Sequence, residues 1–335
     1  MATDYAKATT AFFTRHLAGT RNLSPNTIKS YRDTFRLFLK YCENKHGISP
    51  EKLTFSKISQ KLILEFLDYA ENERKCSIAT RNTRLGALHS FFKFAQSEEP
   101  SVLQLAQDII GIKFKKYQKP VIGYLLPEQT ELLLRQPDVT TKKGRRDAVL
   151  LSVLYDTGGR VQEVCDLLVR DIRLDAPREI TLTGKGRKTR LVPLMDNTTT
   201  MLRGYIAENK LDMDGRDSYP LFFNQGRGKL SRGGVTYVLQ KYAKIAHKQD
   251  PNIPENITPH ILRHSKAMHL YKSGSNLVYV RDILGHVDIA TTDIYAKMDM
   301  EAKRKALENA YPEIIPGKYE DWTKNPDIME FLDSL

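Results

Sequence analysis

Apolar residues along the first third of the chain recur at helical spacing. In LSPNTIKSYRDTFRLFLKYCENKHG, residues Ile28, Tyr31, Phe35, Phe38 and Leu39 fall on one stripe, which marks a core-facing side. Ser24 stands where an N-cap would, Pro25 suits the first helical position, and Gly47 closes the stretch. The same period runs through QKLILEFLDYAENE. It returns in SIATRNTRLGALHSFFKFAQ, where Ser77 opens the helix and Ile78, Leu85, Leu88 and Phe92 face inward. No convincing strand interrupts the chain before about Gly111, so a compact bundle of four or five helices is expected.

The pattern then changes. GIKFKKYQKPVIGYLLPEQ carries Lys113, Lys115, Lys116 and Lys119 ahead of Pro120, with Gly123 and Pro127 following. This reads as a basic linker, able to track a phosphate backbone or to serve as a soluble hinge. Beyond it, RRDAVLLSVLYDTGGR is an apolar helix ending in a Gly pair. DIRLD and EITLTGKGRKTRLVPL are β-like, with strands over 180–183 and 189–193 flanking the turn GKGR. Helices resume after SYPLFFN: one capped at Ser231, one starting at Thr258 and Pro259, one near Asn276, and one leading into Tyr295. The predicted class is mainly α with a small antiparallel β-sheet.

Composition sharpens this in three ways. At 335 residues and 41% hydrophobic, the chain suits two domains that each bury a core. Mean hydropathy is -0.45 and no run approaches the roughly 20 apolar residues of a membrane span, so no membrane partner is expected. MATDYAKATT lacks the apolar region of a signal peptide, and Cys42, Cys76 and Cys165 form neither a disulfide framework nor a CxxC knuckle. A cytoplasmic, reducing setting is the expectation. The net charge of +12 and pI near 9.4 favour a polyanionic partner, nucleic acid above all. Asn26, Thr27, Lys29 and Ser30 on one helix, and Arg81, Asn82 and Arg84 on another, are side chains suited to phosphates and base edges in a major groove.

TPHILRHSKAMHL poses the chemical question. His260 and His264 share a helix face in the manner of a zinc site, but the segment offers Lys266 and no acid or third ligand. His260 and Arg263 also share a face, at a helix start where anions bind. That second pairing is the one favoured, so no metal and no cofactor are expected, and His264 and His269 become packing or surface residues. Elsewhere, Arg160 follows the Gly pair, Lys185 sits at the hairpin tip, and His286 and Tyr295 lie in LGHVDIATTDIYAKM.

Taken in order, Arg160, Lys185 on a hairpin, the HxxR of His260 and Arg263, the LGH ending at His286, and Tyr295 nine residues later resemble the tyrosine recombinase (phage integrase) family. LSPNTIKSYRDTFRLFL and SIATRNTRLGALHSFFKFA are similar to that family's core-binding domain, so the resemblance spans nearly the whole chain. It implies a helical, SAM-like core-binding domain over 1–112, a basic linker over 113–123 and an integrase-type catalytic domain over 124–310. Residues 311–335 would form a tail.

The resemblance also implies roles. Tyr295 would attack the scissile phosphate to form a 3'-phosphotyrosyl link. Arg160 and Arg263 would clamp the non-bridging oxygens, His286 would add a hydrogen bond there, and Lys185 would protonate the leaving 5'-oxygen. His260 would either assist Tyr295 deprotonation or position the phosphate. Glu163, one turn after Arg160, is either an anchor for that arginine or a surface acid. Expected partners are double-stranded DNA with inverted-repeat core sites, a homotetramer on two such sites, and accessory proteins that set direction, in a bacterial or archaeal nucleoid.

Two departures from the family pattern stand out. Gly159 replaces a bulky apolar residue, which implies a looser approach to Arg160, and Ala296 and Lys297 follow the tyrosine where many members place a histidine or arginine. The tail has six acidic and two basic residues and an apolar cluster of Ile328, Met329, Phe331 and Leu332. It would dock on a neighbouring protomer or on its own domain. The leading reading is integration and excision of a mobile element. Dimer resolution, a type IB topoisomerase and a catalytically silent DNA-binding protein are the alternatives.

Overall fold

A computed structural model describes residues 2–21, 23–117, 123–184, 186 and 188–285. Lys185, His286, Tyr295, the helix expected before Tyr295 and the tail 311–335 lie outside the described residues. The chain divides into two compact units, one ending at residue 120 and the other beginning at residue 121. Among the described residues, no helix is long and apolar enough to cross a membrane.

The first unit is all helical. α1 (Asp4–Ala11) runs on as a π-helical stretch, Phe12–Thr20, followed by α2 (Pro25–His46), α3 (Gln60–Asn72), α4 (Ile78–Glu98) and α5 (Leu103–Ile110). Serine starts three of these helices. Ser24, Ser59 and Ser77 each accept a backbone N–H three residues on, satisfying a donor that the helix cannot. The core is aromatic: Phe35 meets Phe91 edge-on at 5.1 Å between centroids and 81°, and Phe12 meets Phe91 at 5.4 Å and 79°. That arrangement sets the positive ring edge against the negative face. Leu85, Leu88 and Phe92 are buried as expected, while Ile78 at the helix start is only half-buried.

Arg81 corrects the sequence expectation. It is 3% exposed, not on the solvent face, and its Nε stands 3.3 Å from Glu71 Oε2 on α3. Helical spacing explains why, because residues 81, 85, 88 and 92 follow one stripe and that stripe is the core side of α4. The same Glu71 oxygen accepts from Lys115 Nζ at 2.8 Å. Asn82 meanwhile holds the backbone of Lys115 with two bonds, Nδ2 donating to its carbonyl at 2.8 Å and Oδ1 accepting from its N–H at 3.1 Å.

The second unit opens with α6 (Pro127–Leu134), α7 (Lys142–Thr157) and α8 (Val161–Asp166). A three-stranded antiparallel sheet follows, in the order β1 (Ile172–Arg173), β2 (Glu179–Thr183), β3 (Thr189–Pro193). Leu182 pairs with Arg190, and Thr183 with Thr189. Ile180, Leu182 and Val192 point into the core, where they join Leu150, Leu154, Val164 and Leu262. The unit continues with α9 (Asp196–Glu208), α10 (Arg232–Gln249), α11 (Pro259–Lys272) and α12 (Leu277–Leu284).

The chain entering this unit is fastened to α11. Ser265 Oγ accepts the Leu125 N–H at 2.8 Å, and His269 Nε2 lies 2.8 Å from the Leu125 carbonyl. Because a carbonyl only accepts, Nε2 carries the proton, and Nδ1 therefore accepts from Tyr155 Oη at 2.7 Å. His269 is thus a packing residue, as its sequence suggested.

Gly158 ends α7 in the left-handed region at φ 54°, and a Cβ there would lie 2.6 Å from Leu284 Cδ2. Gly204, inside α9, has nothing within 4 Å of its Cβ position. Gly158→Ala should therefore lower unfolding free energy by at least about 1–2 kcal/mol for the conformation alone. Gly204→Ala should raise it by up to about 1 kcal/mol through helix propensity. Urea denaturation of the two variants checks both signs.

Candidate active site

The site forms where α7 ends, α11 begins and α12 ends. Thr157 Oγ1 donates to the Val153 carbonyl at 2.6 Å and accepts from Gly159 N–H at 3.1 Å, so the turn through Gly158 is pinned from within. Gly159 is not a loose approach to Arg160. A Cβ at 159 would stand 3.1 Å from Thr157 Oγ1 and Val164 Cγ2 and 3.3 Å from Leu182 Cδ1, so the backbone is packed where a side chain would otherwise go.

Arg160 takes the N-cap position of α8 with extended backbone. Its N–H donates to Glu163 Oε2 at 2.9 Å, its Nη1 to Glu163 Oε1 at 2.9 Å, and its Nη2 to the Gly285 carbonyl at 3.1 Å. The side chain stays 36% exposed, leaving an open face on the guanidinium. Glu163 is therefore the anchor and not a surface acid, since its own side chain is buried.

Arg263 is the fifth residue of α11, whose start Thr258 caps by accepting Ile261 N–H at 3.4 Å and whose first position Pro259 occupies. It is 4% exposed and donates Nη1 to the Gly158 carbonyl and Nη2 to the Leu284 carbonyl, both at 2.6 Å. The third arginine, Arg190, was not a sequence candidate. Its Nη2 donates to Glu163 Oε2 at 2.7 Å and its Nε to the Ile283 carbonyl at 2.8 Å. Alternation along β3 carried the signal, because position 190 shares the inward side with Val192, and an inward arginine requires a buried acceptor.

Three consecutive carbonyls at the C-terminal end of α12, those of Ile283, Leu284 and Gly285, thus each accept a different arginine. Gly285 must be glycine twice over. Its φ is 65°, and a Cβ would lie 2.8 Å from Arg190 Nη1.

The electrostatics follow from this crowding. Burial alone would raise the Glu163 pKa, but hydrogen bonds and charge from Arg190 and Arg160 overcome it and hold the carboxyl at about 2. His260 stands on the exposed first turn of α11, where partial desolvation lowers its pKa and the charges of Arg263 and Arg160 lower it further. His260 thus lies within electrostatic reach of both arginines. His264 is pushed down to about 4, by burial first and then by His260 and Arg263. Among the described residues, no cluster of three or more His, Cys, Asp or Glu could hold a metal ion. Among the described residues, two guanidiniums and an imidazole whose pKa is lowered make a positively charged site able to receive a phosphate.

Lys185 lies outside the described residues, but its hairpin base does not. Gly184 N–H donates to the Lys188 carbonyl at 2.8 Å, and a Cβ at 184 would approach Glu163 Oε1 to 2.9 Å. The hairpin therefore springs from beside the Arg160–Glu163 pair.

The expected DNA-facing residues separate into two groups. Asn26, Lys29 and Arg84 line one groove between α2 and α4, with Ser30, Thr80 and Thr83 beside them. One guanidinium nitrogen of Arg84 is buried without a hydrogen-bond partner. Thr27 Oγ1 pairs with Ser24 Oγ at 2.9 Å, and Lys113 and Lys116 are exposed. Arg81, Asn82 and Lys115 are instead engaged within the protein, as described above.

Comparison with known proteins identifies the family. The Phage integrase family profile matches residues 124–302, and the profile of the Phage integrase N-terminal SAM-like domain matches residues 11–99. A Sinorhizobium fredii protein provisionally described as integrase/recombinase y4rC is 35% identical over 97% of this chain and 96% of its own. The tyrosine recombinase XerC of Oceanobacillus iheyensis is 30% identical over 90% of this chain and 94% of its own. Among solved structures, the Tn1549 transposon integrase in complex with transposon right end DNA shares the fold, with a TM-score of 0.68 at 19% identity. It covers 90% of this chain and 97% of that one. The XerH site-specific recombinase bound to palindromic difH has a TM-score of 0.67 at 24% identity, over 87% of this chain and 82% of that one. This chain belongs to the phage integrase family, the tyrosine recombinases, and is an enzyme that cleaves and rejoins DNA.

Proposed function

We propose that the chain is a site-specific recombinase that breaks DNA through a 3'-phosphotyrosyl intermediate on Tyr295. It exchanges strands through a Holliday junction as a tetramer on two sites with inverted repeats. The observation that carries this reading is the pair Arg160 and Arg263, fixed on neighbouring carbonyls with His260 in their field. In-line attack by the Tyr295 oxygen forms a P–O bond as the bond to the 5'-oxygen breaks, and charge builds on the non-bridging oxygens. Two pre-positioned guanidiniums stabilise that charge without reorganising at the moment of reaction. Lys185 delivers a proton to the 5'-oxygen, and His260, neutral near pH 7, is able to take the tyrosine proton. Attack by a 5'-hydroxyl of another strand reverses the step. The phosphotyrosyl link conserves the phosphodiester bond, so religation needs no ATP.

Integration and excision of a mobile element is the role favoured by the integrase/recombinase relative at 35% identity. Resolution of replicon dimers is the second reading, favoured by the XerC and XerD relatives at 30 to 32%. The domain division at 112 and 123, a cytoplasmic setting, accessory proteins and docking of the tail on a neighbouring protomer belong to the same proposal. Asn26, Lys29, Arg84, Lys113 and Lys116 are its DNA contacts.

On a duplex nicked beside the scissile phosphate, within a site located by footprinting, the native chain should form an SDS-resistant covalent complex. Tyr295→Phe should form none, and a complex in that variant would refute the assignment of the nucleophile. Arg160→Lys should slow cleavage by about 10²- to 10³-fold, as expected for loss of an oriented donor at developing charge. The His260 pKa lies below its ordinary 6.5, so the base form persists on lowering the pH to that value and is lost only below it. Cleavage should stay level from neutrality to about pH 6.5 and then fall, and the acid limb should vanish in His260→Asn.

A further inference from the structure

The three arginines on the end of α12 differ in how they are used. Arg160 keeps an open face and, with Arg263, meets the phosphate in the mechanism above. Arg190 has a side chain only 12% exposed and bonds Glu163 Oε2 and the Ile283 carbonyl; Arg263 is buried as deeply, and what separates Arg190 from it is the bond to Glu163, the carboxylate that also holds Arg160. Nothing in the chemistry so far needs it.

We infer that Arg190 is a positioning residue for DNA cleavage, orienting Arg160 through Glu163 and fixing the carbonyl ladder of α12 that holds both catalytic arginines. The inference rests on the proposed recombinase reading. Glu163 has two oxygens and three donors: Oε1 receives Arg160 Nη1, while Oε2 receives the Arg160 N–H and Arg190 Nη2. Arg190 thereby sets the plane of the carboxylate and hence the direction in which Arg160 is held. Its Nε bond to Ile283 and its close approach to Gly285, where an added Cβ would lie 2.8 Å from Arg190 Nη1, fix the end of the helix whose next two carbonyls receive Arg263 and Arg160. The residue after Gly285 in the chain is His286. A lysine could supply the charge to Glu163 but not the second, rigidly spaced donor to Ile283.

The test compares Arg190→Gln, Arg190→Lys and Glu163→Gln as full-length chains on the footprinted, nicked duplex, at a temperature where circular dichroism shows each folded. Single-turnover covalent-complex formation by Arg190→Gln should be slower by about 10²-fold, the scale expected when a reacting group is misplaced by an ångström. Affinity for the same duplex should change by no more than about threefold, since the phosphate-clamping groups remain. Arg190→Lys should fall between, and the double variant Arg190→Gln, Glu163→Gln should be no slower than Glu163→Gln. Unchanged cleavage, or cleavage and affinity lost by the same factor, would overturn the inference. A duplex with sulfur in place of the bridging 5'-oxygen needs no acid to expel its leaving group. If it restores Arg190→Gln to the native rate, the residue acts through the hairpin lysine and the inference is also overturned. Where Arg190→Gln fails to fold, the same measurements on Arg190→Lys decide. Absence of covalent complex from the native chain would instead sink the recombinase reading itself.

Discussion

The site depends on one constraint: a helix end whose carbonyls are each claimed by an arginine from a different part of the chain. α12 is eight residues long, and its last carbonyls have no helical partner. Arg190 comes from β3, Arg160 from the start of α8 and Arg263 from α11, so one short helix end gathers three separate elements. The charges do not balance. Three guanidiniums face one carboxylate and the partial negative charge of a helix C-terminus, about half an electron. Among the described residues the surplus is positive, a balance that suits an anionic ligand.

Much of this was legible in the sequence, because each legible feature is local. Serine caps, the Gly pair, and the Pro after Thr258 act within a few residues, and the helices begin where they indicate. The hairpin strands fall within a residue of their predicted spans. Glu163 was left between anchor and surface acid because its decisive partner, Arg190, lies 27 residues away. Arg190 itself was invisible as a functional residue until the sheet register put it opposite Leu182 and turned it inward. Arg81 shows the reverse error. Chemistry suggested a DNA contact, while the helical period already assigned the position to the core side of α4, and the period won because an ion pair with Glu71 makes burial tolerable. Lys185, His286 and Tyr295 rest on the family pattern alone.

In the first unit, Glu71 and Asn82 give the basic segment a fixed point of departure. Lys115 is bound at its backbone by Asn82 and at its ammonium by Glu71, so the flanking Lys113 and Lys116 project from a held backbone. Holding them costs part of the basic charge, since Glu71 offsets one of the two positive charges of Lys115 and Arg81. The groove between α2 and α4 keeps Asn26, Lys29 and Arg84 together with Ser30, Thr80, Thr83 and the acid Asp33.

At the other end of that segment, Leu125 is gripped through both its N–H and its carbonyl by Ser265 and His269. These two residues lie one and two turns along the same helix that presents His260 and Arg263. Entry of the chain into this unit and the placement of His260 and Arg263 are thus tasks of one helix, and a substitution that loosens the grip on Leu125 acts on the same element that carries both residues.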